Sequence, residues 1–261
     1  MTDKQATSWP YPRWIAHRGA GKLAPENTLA AFELGAGFGY RMFECDVKLS
    51  ADGVPFLLHD ATLQRTTNAT RMLGSSASDV AGDHPWATLA QLDAGSWHSA
   101  DFAGAPLPTL AQIAGFCERH GALINLEIKA TPGLETLTGE VAANHAAKLW
   151  KGAAAPPLLS SFDVASLVAA LLAQPHLPRA LLLEELWPGW LDTALRLRCV
   201  AVVMDQVLWD SVTMAQAKAA GLRTLSYTVN EASEADRLIA LGLDGLITDR
   251  VDAFKPDDSR A

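Results

Sequence analysis

The sequence predicts an α/β protein of the closed (β/α)8 barrel class, and three observations carry that reading. Eight short β-rich runs alternate with helix-like stretches along 261 residues, a length at which one large α/β barrel is common. Most of the runs are apolar throughout, which implies a parallel sheet covered on its outer face. Helix start and stop residues recur between them: Thr109, Asp163 and Glu231 near the starts, Gly121, Gly221 and Gly242 just past the ends.

In chain order, the first strand is expected at 13–17 (RWIAH), followed by a helix at 27–38. The second strand, 41–47 (RMFECDV), leads into a returning run, "VPFLLHD". Residues 51–108 then break the rhythm with Ser, Thr, Asp, Gly and Pro. A structureless loop of that length is improbable in a compact domain, so about 62–106 reads as a small insertion with structure of its own. Its apolar spacing is too irregular to predict a second core. A helix at 109–120 and a strand at 122–129 (ALINLEIK) restore the alternation. The remaining strands are expected at 157–161, 179–184, 199–204, 222–229 and 244–248, with helices at 134–150, 163–173, 188–197, 207–220 and 231–241. No sequence repeat of fixed period is present. The organisation is therefore a single domain over 1–261 carrying one insertion.

Composition bounds the function. Apolar residues are 49% and charged residues 19%, enough for a sizeable core. A formal net charge of −8 argues against nucleic acid as partner, because binding a phosphate backbone needs a basic face. The cysteines, Cys45, Cys117 and Cys199, are odd in number and form no CxxC pair, so neither a disulfide framework nor a thiolate zinc site is expected. The start, "MTDKQATSWPYPR", lacks the apolar stretch of a signal peptide, and nowhere do 18 apolar residues follow one another. The simplest reading is a reduced, cytoplasmic, soluble protein of undetermined oligomeric state.

In a barrel, the C-terminal ends of the strands build the active site. The first strand ends in His17–Arg18. The second carries Glu44 and Asp46 at i, i+2, projecting both carboxylates from one side, and the third repeats the spacing with Glu127 and Lys129. A lone strand-end acid is ordinarily a solvated rim residue. Three together would repel and raise one another's pKa, which points instead to a cage for a hard, oxygen-preferring divalent cation, Mg²⁺ or Ca²⁺, with Mn²⁺ as substitute.

Asp52–Gly53 between two alternating runs is a strong hairpin signal. A two-residue turn pairs Ala51 with Val54 and, by continuation, His59 with Asp46. Opposed residues have Cβ atoms about 4.5–5.5 Å apart, so the hairpin is expected to return His59 to the acidic cluster. His84, His98, His120, His145 and His176 are read as structural. Two imidazoles suit proton transfer at neutral pH, while Arg18 offers a bidentate fork and Lys129 a point charge for an oxyanion. Together these groups ask for a phosphate ester.

The ordered set "AHRG…PENT…ECDVxLSxDGVPxxxHD…LNLEIK…YTVN…GLITD" resembles the glycerophosphodiester phosphodiesterase family over about residues 13–250. The resemblance implies a TIM barrel that hydrolyses glycerophosphodiesters to glycerol 3-phosphate and an alcohol. Carried over by motif, it implies a divalent metal on Glu44, Asp46 and Glu127, acid–base work by His17 and His59, and phosphate binding by Arg18 and Lys129. It further implies attack by the substrate's own 2-hydroxyl, giving a cyclic phosphate that water opens. Adjacent imidazole and guanidinium at 17 and 18 thereby acquire a reason: one moves a proton, the other stabilises the growing phosphorane charge. In "PENT", Asn27 or Thr28 is expected to cap the helix, and Glu26 is either a partner of the site or solvated. The chain departs from the family's W-T-V-N by placing Tyr227 at the aromatic position, where it is expected to wall the substrate pocket. Trp86, Trp97, Phe162 and Trp187 either line the alcohol end or pack internally. Two rival readings are a phospholipase C-like or sphingomyelinase D-like barrel, for which no basic amphipathic segment is present, and a catalytically dead binding module, against which every chemical position is filled.

Overall fold

The computed structural model describes residues 9–74 and 76–256; part of the N-terminal stretch read above for a leader therefore lies outside the described residues. Its strands are β1 (Trp14–Ala16), β2 (Met42–Leu49), β3 (Pro55–Leu57), β4 (Leu123–Ile128), β5 (Leu158–Ser161), β6 (Arg179–Leu183), β7 (Ala201–Asp205), β8 (Arg223–Tyr227) and β9 (Gly245–Thr248). All but β3 run parallel, in the order β1-β9-β8-β7-β6-β5-β4-β2, and β2 pairs back onto β1. The sheet is thus a closed eight-stranded barrel with helices between its strands. The seven sequence-expected helices form at Leu29–Gly37, Leu110–His120, Glu135–Leu149, Val164–Ala173, Trp190–Arg196, Ser211–Ala219 and Ala232–Ala240. Thr28, not Asn27, caps the first of them, accepting from Ala31 N–H, and Thr109 closes a reciprocal capping box with Gln112.

Alternation along each strand divides the buried residues into two sets. On β2, Phe43, Cys45 and Val47 face the helices, where Phe43 meets Phe32 and Phe116 at ring centroids 5.2 and 5.4 Å apart. The opposite set, including Ile15, Met42, Leu158, Leu182, Val203, Leu225 and Ile247, fills the barrel interior above a Tyr11 plug. Its apolar layers end where Glu44, Asp46 and Glu127 begin. Truncating a fully buried side chain such as Phe43 would cost about 3–5 kcal/mol. Among the described residues, no helix is long and apolar enough to cross a membrane.

The hairpin register differs by one residue from the expected one. β3 lies antiparallel on β2 with Val47 opposite Leu57 and Lys48 opposite Phe56, and Leu58 N–H, not His59, reaches Asp46 O at 3.1 Å. The turn uses residues 51–53 instead of two. Ser50 N–H donates to Val54 O (3.1 Å), Gly53 takes φ +78°, and Ser50 Oγ accepts from Val54 N–H at 2.9 Å while donating to Asp52. Ser50 thereby stabilises the longer loop, a three-residue form with a left-handed glycine. The inserted segment, despite its irregular spacing, gathers Leu63, Leu89 and Leu92 into a buried apolar cluster seated on Phe56 and Leu58.

Candidate active site

At the C-terminal mouth of the barrel, Glu44 and Asp46 of β2 and Glu127 of β4 place one carboxylate oxygen each within 4.8 Å of one another. The strand register makes this unavoidable: Asp46 lies directly beside Glu127 on neighbouring parallel strands, and Glu44 precedes Asp46 on the same face. Glu44 Oε1 and Asp46 Oδ1 are buried without a hydrogen-bond partner. Burial, reinforced by the charges of Asp46 and Glu127, pushes the Glu44 carboxyl well above its ordinary value. Burial and Asp46 likewise raise Glu127. Asp46 goes the other way: burial pushes it up, but Arg18, His59, Lys129 and the Asn27 amide together hold it below the usual range. Unsatisfied, mutually repelling oxygens with no nitrogen or sulfur among them fit a hard divalent cation.

The loop after β1 is bent to serve this cluster. Arg18 and Asn27 both adopt left-handed backbone (φ +51° and +60°), a conformation costly for residues with a side chain. The strain is held by contacts to the acids: Arg18 N–H donates to Glu44 Oε2 at 3.1 Å, and Asn27 donates to Asp46 Oδ2 (2.7 Å) while accepting from Asp46 N–H (3.1 Å). Gly21, at φ +58°, comes so close to the loop after β9 that a Cβ there would sit 2.2 Å from the Asp249 backbone.

That approach supplies a partner for His17. Its Nδ1 lies 2.6 Å from Asp249 Oδ1 and its Nε2 3.7 Å from Glu44 Oε2. Burial would raise the Asp249 carboxyl, yet His17, Asn230 and Lys22 hold it at about 2. An ionised carboxylate only accepts, so Nδ1 carries the hydrogen, and Nε2 is the ring nitrogen left facing the cluster. Asn230 fixes Asp249 in turn, donating from Nδ2 to Oδ2 at 3.0 Å and accepting from its N–H at 2.9 Å. His59 is arranged in the same manner, with Nδ1 2.8 Å from Asp60 Oδ1. Burial lowers the His59 pKa, with Asp46 opposing and Arg18 reinforcing.

Three cations face the carboxylates. Arg18 Nε is 3.2 Å from Asp46 Oδ2, an ion pair by distance whose angle does not make a hydrogen bond, and Nη1 donates to Glu26 at 2.9 Å. Lys129 Nζ reaches Glu127 at 2.7 Å and lies 5.1 Å from the centre of the Phe162 ring. Lys48 donates to Lys129 O at 2.7 Å, and burial pushes its pKa down to about 8.

A cavity of about 700 Å³ opens over the cluster, lined by His17, Arg18, Glu44, His59, Glu127, Lys129 and Tyr227 among others. Of the sequence-expected site residues only Asp46 does not line it; fully buried, it lies behind the others. Tyr227 packs edge-on against Phe162, ring centroids 5.6 Å apart, and its hydroxyl donates to Leu183 O at 3.1 Å. Phe162 lines the cavity, whereas Trp86 packs on Phe56 in the insertion and Trp187 against the helix-side core.

Several residues of the site had no role in the sequence reading. Asp249, Asp60 and Asn230 stand inside the recognised motifs, but only the folded chain shows that they orient the two imidazoles. Of the two cap candidates, Thr28 caps the helix and Asn27 clamps Asp46. Glu26, left open, joins Arg18 to Arg65. Arg65 and Lys48 carried no signal of their own.

The model of the glycerophosphoryl diester phosphodiesterase family matches residues 17–253. A glycerophosphodiester phosphodiesterase of Caldanaerobacter subterraneus subsp. tengcongensis is 30% identical over 90% of this chain and 93% of its own. The chain also matches a mouse glycerophosphoinositol inositolphosphodiesterase at 40% identity over 134 residues, spanning only 23% of that larger protein. The solved structure of an Oleispira antarctica phosphodiesterase in complex with the product sn-glycerol-3-phosphate superposes with a TM-score of 0.82 at 34% identity, covering 91% of this chain and 93% of that one. On a match that runs through every strand bearing a site residue, the chain belongs to the glycerophosphoryl diester phosphodiesterase family.

Proposed function

We propose that this chain hydrolyses glycerophosphodiesters, such as glycerophosphocholine or glycerophosphoethanolamine, to sn-glycerol 3-phosphate and an alcohol. The observation that carries the reading is a pair of histidines, each backed by its own carboxylate, lining the same cavity as the three-carboxylate cluster. Glu44, Asp46 and Glu127 would hold Mg²⁺ or Ca²⁺, with Mn²⁺ as substitute, which when bound supplies Lewis-acid stabilisation of phosphate and hydroxyl oxygens. We read residues 1–261 as one barrel domain with an insertion at about 62–106. The described cysteines are free and buried, which fits a cytoplasmic enzyme of small molecules.

The chain's own groups account for the proton movements. His17 Nε2 takes the proton of the substrate's 2-hydroxyl as that oxygen bonds to phosphorus. The phosphorus–oxygen bond to the alcohol breaks, and His59 gives the departing alkoxide a proton. In the second stage water attacks the cyclic phosphate, losing its proton to His59, and the ring oxygen leaves with the proton held by His17. Arg18 and Lys129 balance the charge that grows on the phosphoryl oxygens. Glycerophosphocholine turnover with and without EDTA, read as released sn-glycerol 3-phosphate, tests the proposal. No release in the presence of Mg²⁺ or Ca²⁺ would sink it, and phosphate-ester cleavage confined to lipid vesicles would transfer the site to a lipid-headgroup enzyme.

A further inference from the structure

Both loops that carry the histidines' neighbours are gripped by one side chain from the insertion. Arg65 Nη1 and Nη2 donate to the two oxygens of Glu26, each at 2.8 Å, while Nε and Nη2 donate to the two oxygens of Asp60 at 2.6 and 3.0 Å. Glu26 passes the contact on to Arg18 at 2.9 Å, and Asp60 passes it on to His59 at 2.8 Å. A guanidinium presents two donor edges in a fixed plane, so it can hold two carboxylates in one geometry where an ammonium cannot.

We propose that Arg65 is a positioning residue that couples the phosphate-binding Arg18 to the proton-transferring His59 through Glu26 and Asp60. The proposal rests on the reading that His59 performs acid–base work. Arg65 also sets the charge that His59 meets. With Arg65 in place, the Asp60 carboxylate is shared between a guanidinium and the imidazole; without it, the whole of that negative charge falls on His59. The other charged groups acting on His59 are Asp46 from β2, Arg18 from the loop after β1 and Lys129 from the end of β4. The change touches neither Asp46 nor Lys129, and Arg18 keeps its charge and its pairing with Asp46 while losing the restraint that Arg65 exerts through Glu26. Removing Arg65 therefore stabilises the imidazolium and moves the titration of His59 upward, whichever way its proton is used.

The test compares Arg65→Ala, Arg65→Lys and His59→Ala on glycerophosphocholine across pH at saturating Mg²⁺, with a thermal melt of each. Arg65→Ala is expected to lower kcat by about 10–10²-fold, the scale of a small misplacement of reacting groups. The limb of log kcat against pH that His59→Ala removes should move up by about half a unit or more, with the Mg²⁺ half-saturation unchanged. Arg65→Lys keeps the charge but not the fork, so the limb should stay near its wild-type position while kcat remains reduced. A variant that only melts earlier, with kcat within about twofold of wild type and the limb unmoved, overturns the coupling and leaves the two-histidine reading standing. If His59→Ala itself retains full kcat, the two-histidine reading falls, and the route through which Arg65 acts falls with it.

Discussion

His17 Nδ1 sits 2.6 Å from the Asp249 carboxylate, although 232 residues separate the two in sequence. Barrel closure makes the meeting possible, because β1 and β9 are first and last in the chain yet adjacent in the sheet, with Ala16 beside Thr248. One residue beyond each strand, the imidazole and the acid face each other. A histidine so held has one ring nitrogen committed and the other directed at the carboxylate cluster.

Asp249→Asn keeps the size of the side chain but lets the amide donate, favouring the wrong imidazole tautomer. The variant is expected to fold, to bind Mg²⁺ or Ca²⁺ as the wild type does, and to lose kcat by about 10²-fold or more, since general acid–base catalysis is commonly worth about 10²–10⁴. Measured kcat within about threefold of wild type would separate Asp249 from the function of His17.

The acid cluster predicts a pH-dependent metal effect. Glu44 and Glu127 are pushed up by burial and then by neighbouring carboxylates. A carboxyl whose folded pKa exceeds its unfolded value keeps a proton that the unfolded chain has released. Stability from that source is therefore lost as pH rises from the ordinary value of 4.5 towards the folded one. A divalent cation replaces the proton, so its contribution to Tm should be larger at about pH 8 than at about pH 5.5. Melting curves with EDTA and with saturating Mg²⁺ or Ca²⁺ at both pH values check this; equal gains would count against binding at these carboxylates. Glu44→Gln should weaken metal affinity far more than it weakens the fold, and chelation should abolish turnover.

The barrel was readable in the sequence because each strand declares itself locally: a run such as "ALINLEIK" is apolar, short and bounded by a glycine-capped helix. The three carboxylates were readable for the same reason, since i, i+2 spacing fixes a face without knowledge of the partners. Contacts between distant loops were not. Nothing near Asp249 in sequence says that it faces His17, and Arg65 reaches Glu26 only because the insertion folds back over the loop after β1. The hairpin register failed for a smaller cause. Asp52–Gly53 has the composition of a two-residue turn, but Ser50 Oγ captures Val54 N–H and lengthens it by one. His59 still enters the cavity because it lies beyond the paired residues, where the backbone is free to turn.

Tyr227 separates shape from chemistry. Its hydroxyl is spent on Leu183 O, so Tyr227→Phe should cost about 1 kcal/mol of stability for that bond and leave kcat near wild type. Tyr227→Ala removes a wall of the cavity and the edge contact to Phe162, so it should change KM unequally among glycerophosphodiesters that differ in their alcohol. Uniform changes across a series of choline, ethanolamine and glycerol diesters would show that this wall does not face the alcohol.

The two histidines can be told apart by the leaving group. His17→Ala and His59→Ala should each lower kcat by about 10²–10⁴ while changing KM and metal affinity little, because proton transfer is felt in the transition state more than in the bound substrate. Arg18→Ala should also fall mainly on kcat, since the charge it opposes grows as the phosphorane forms. His17 is proposed as the base because Asp249 holds its Nδ1 at 2.6 Å and its Nε2 lies 3.7 Å from Glu44. His59, with its pKa lowered by burial, releases a proton to the departing alkoxide more readily than an unperturbed imidazole would. A glycerophosphodiester with an aryl leaving group needs little protonation as it departs, so it should restore turnover to His59→Ala and not to His17→Ala. Rescue of His17→Ala alone would exchange the two roles, and equal rescue of both would dissolve the division while keeping the site. If neither substitution lowers kcat by at least about 10²-fold on glycerophosphocholine, proton transfer by these imidazoles is not what drives the reaction.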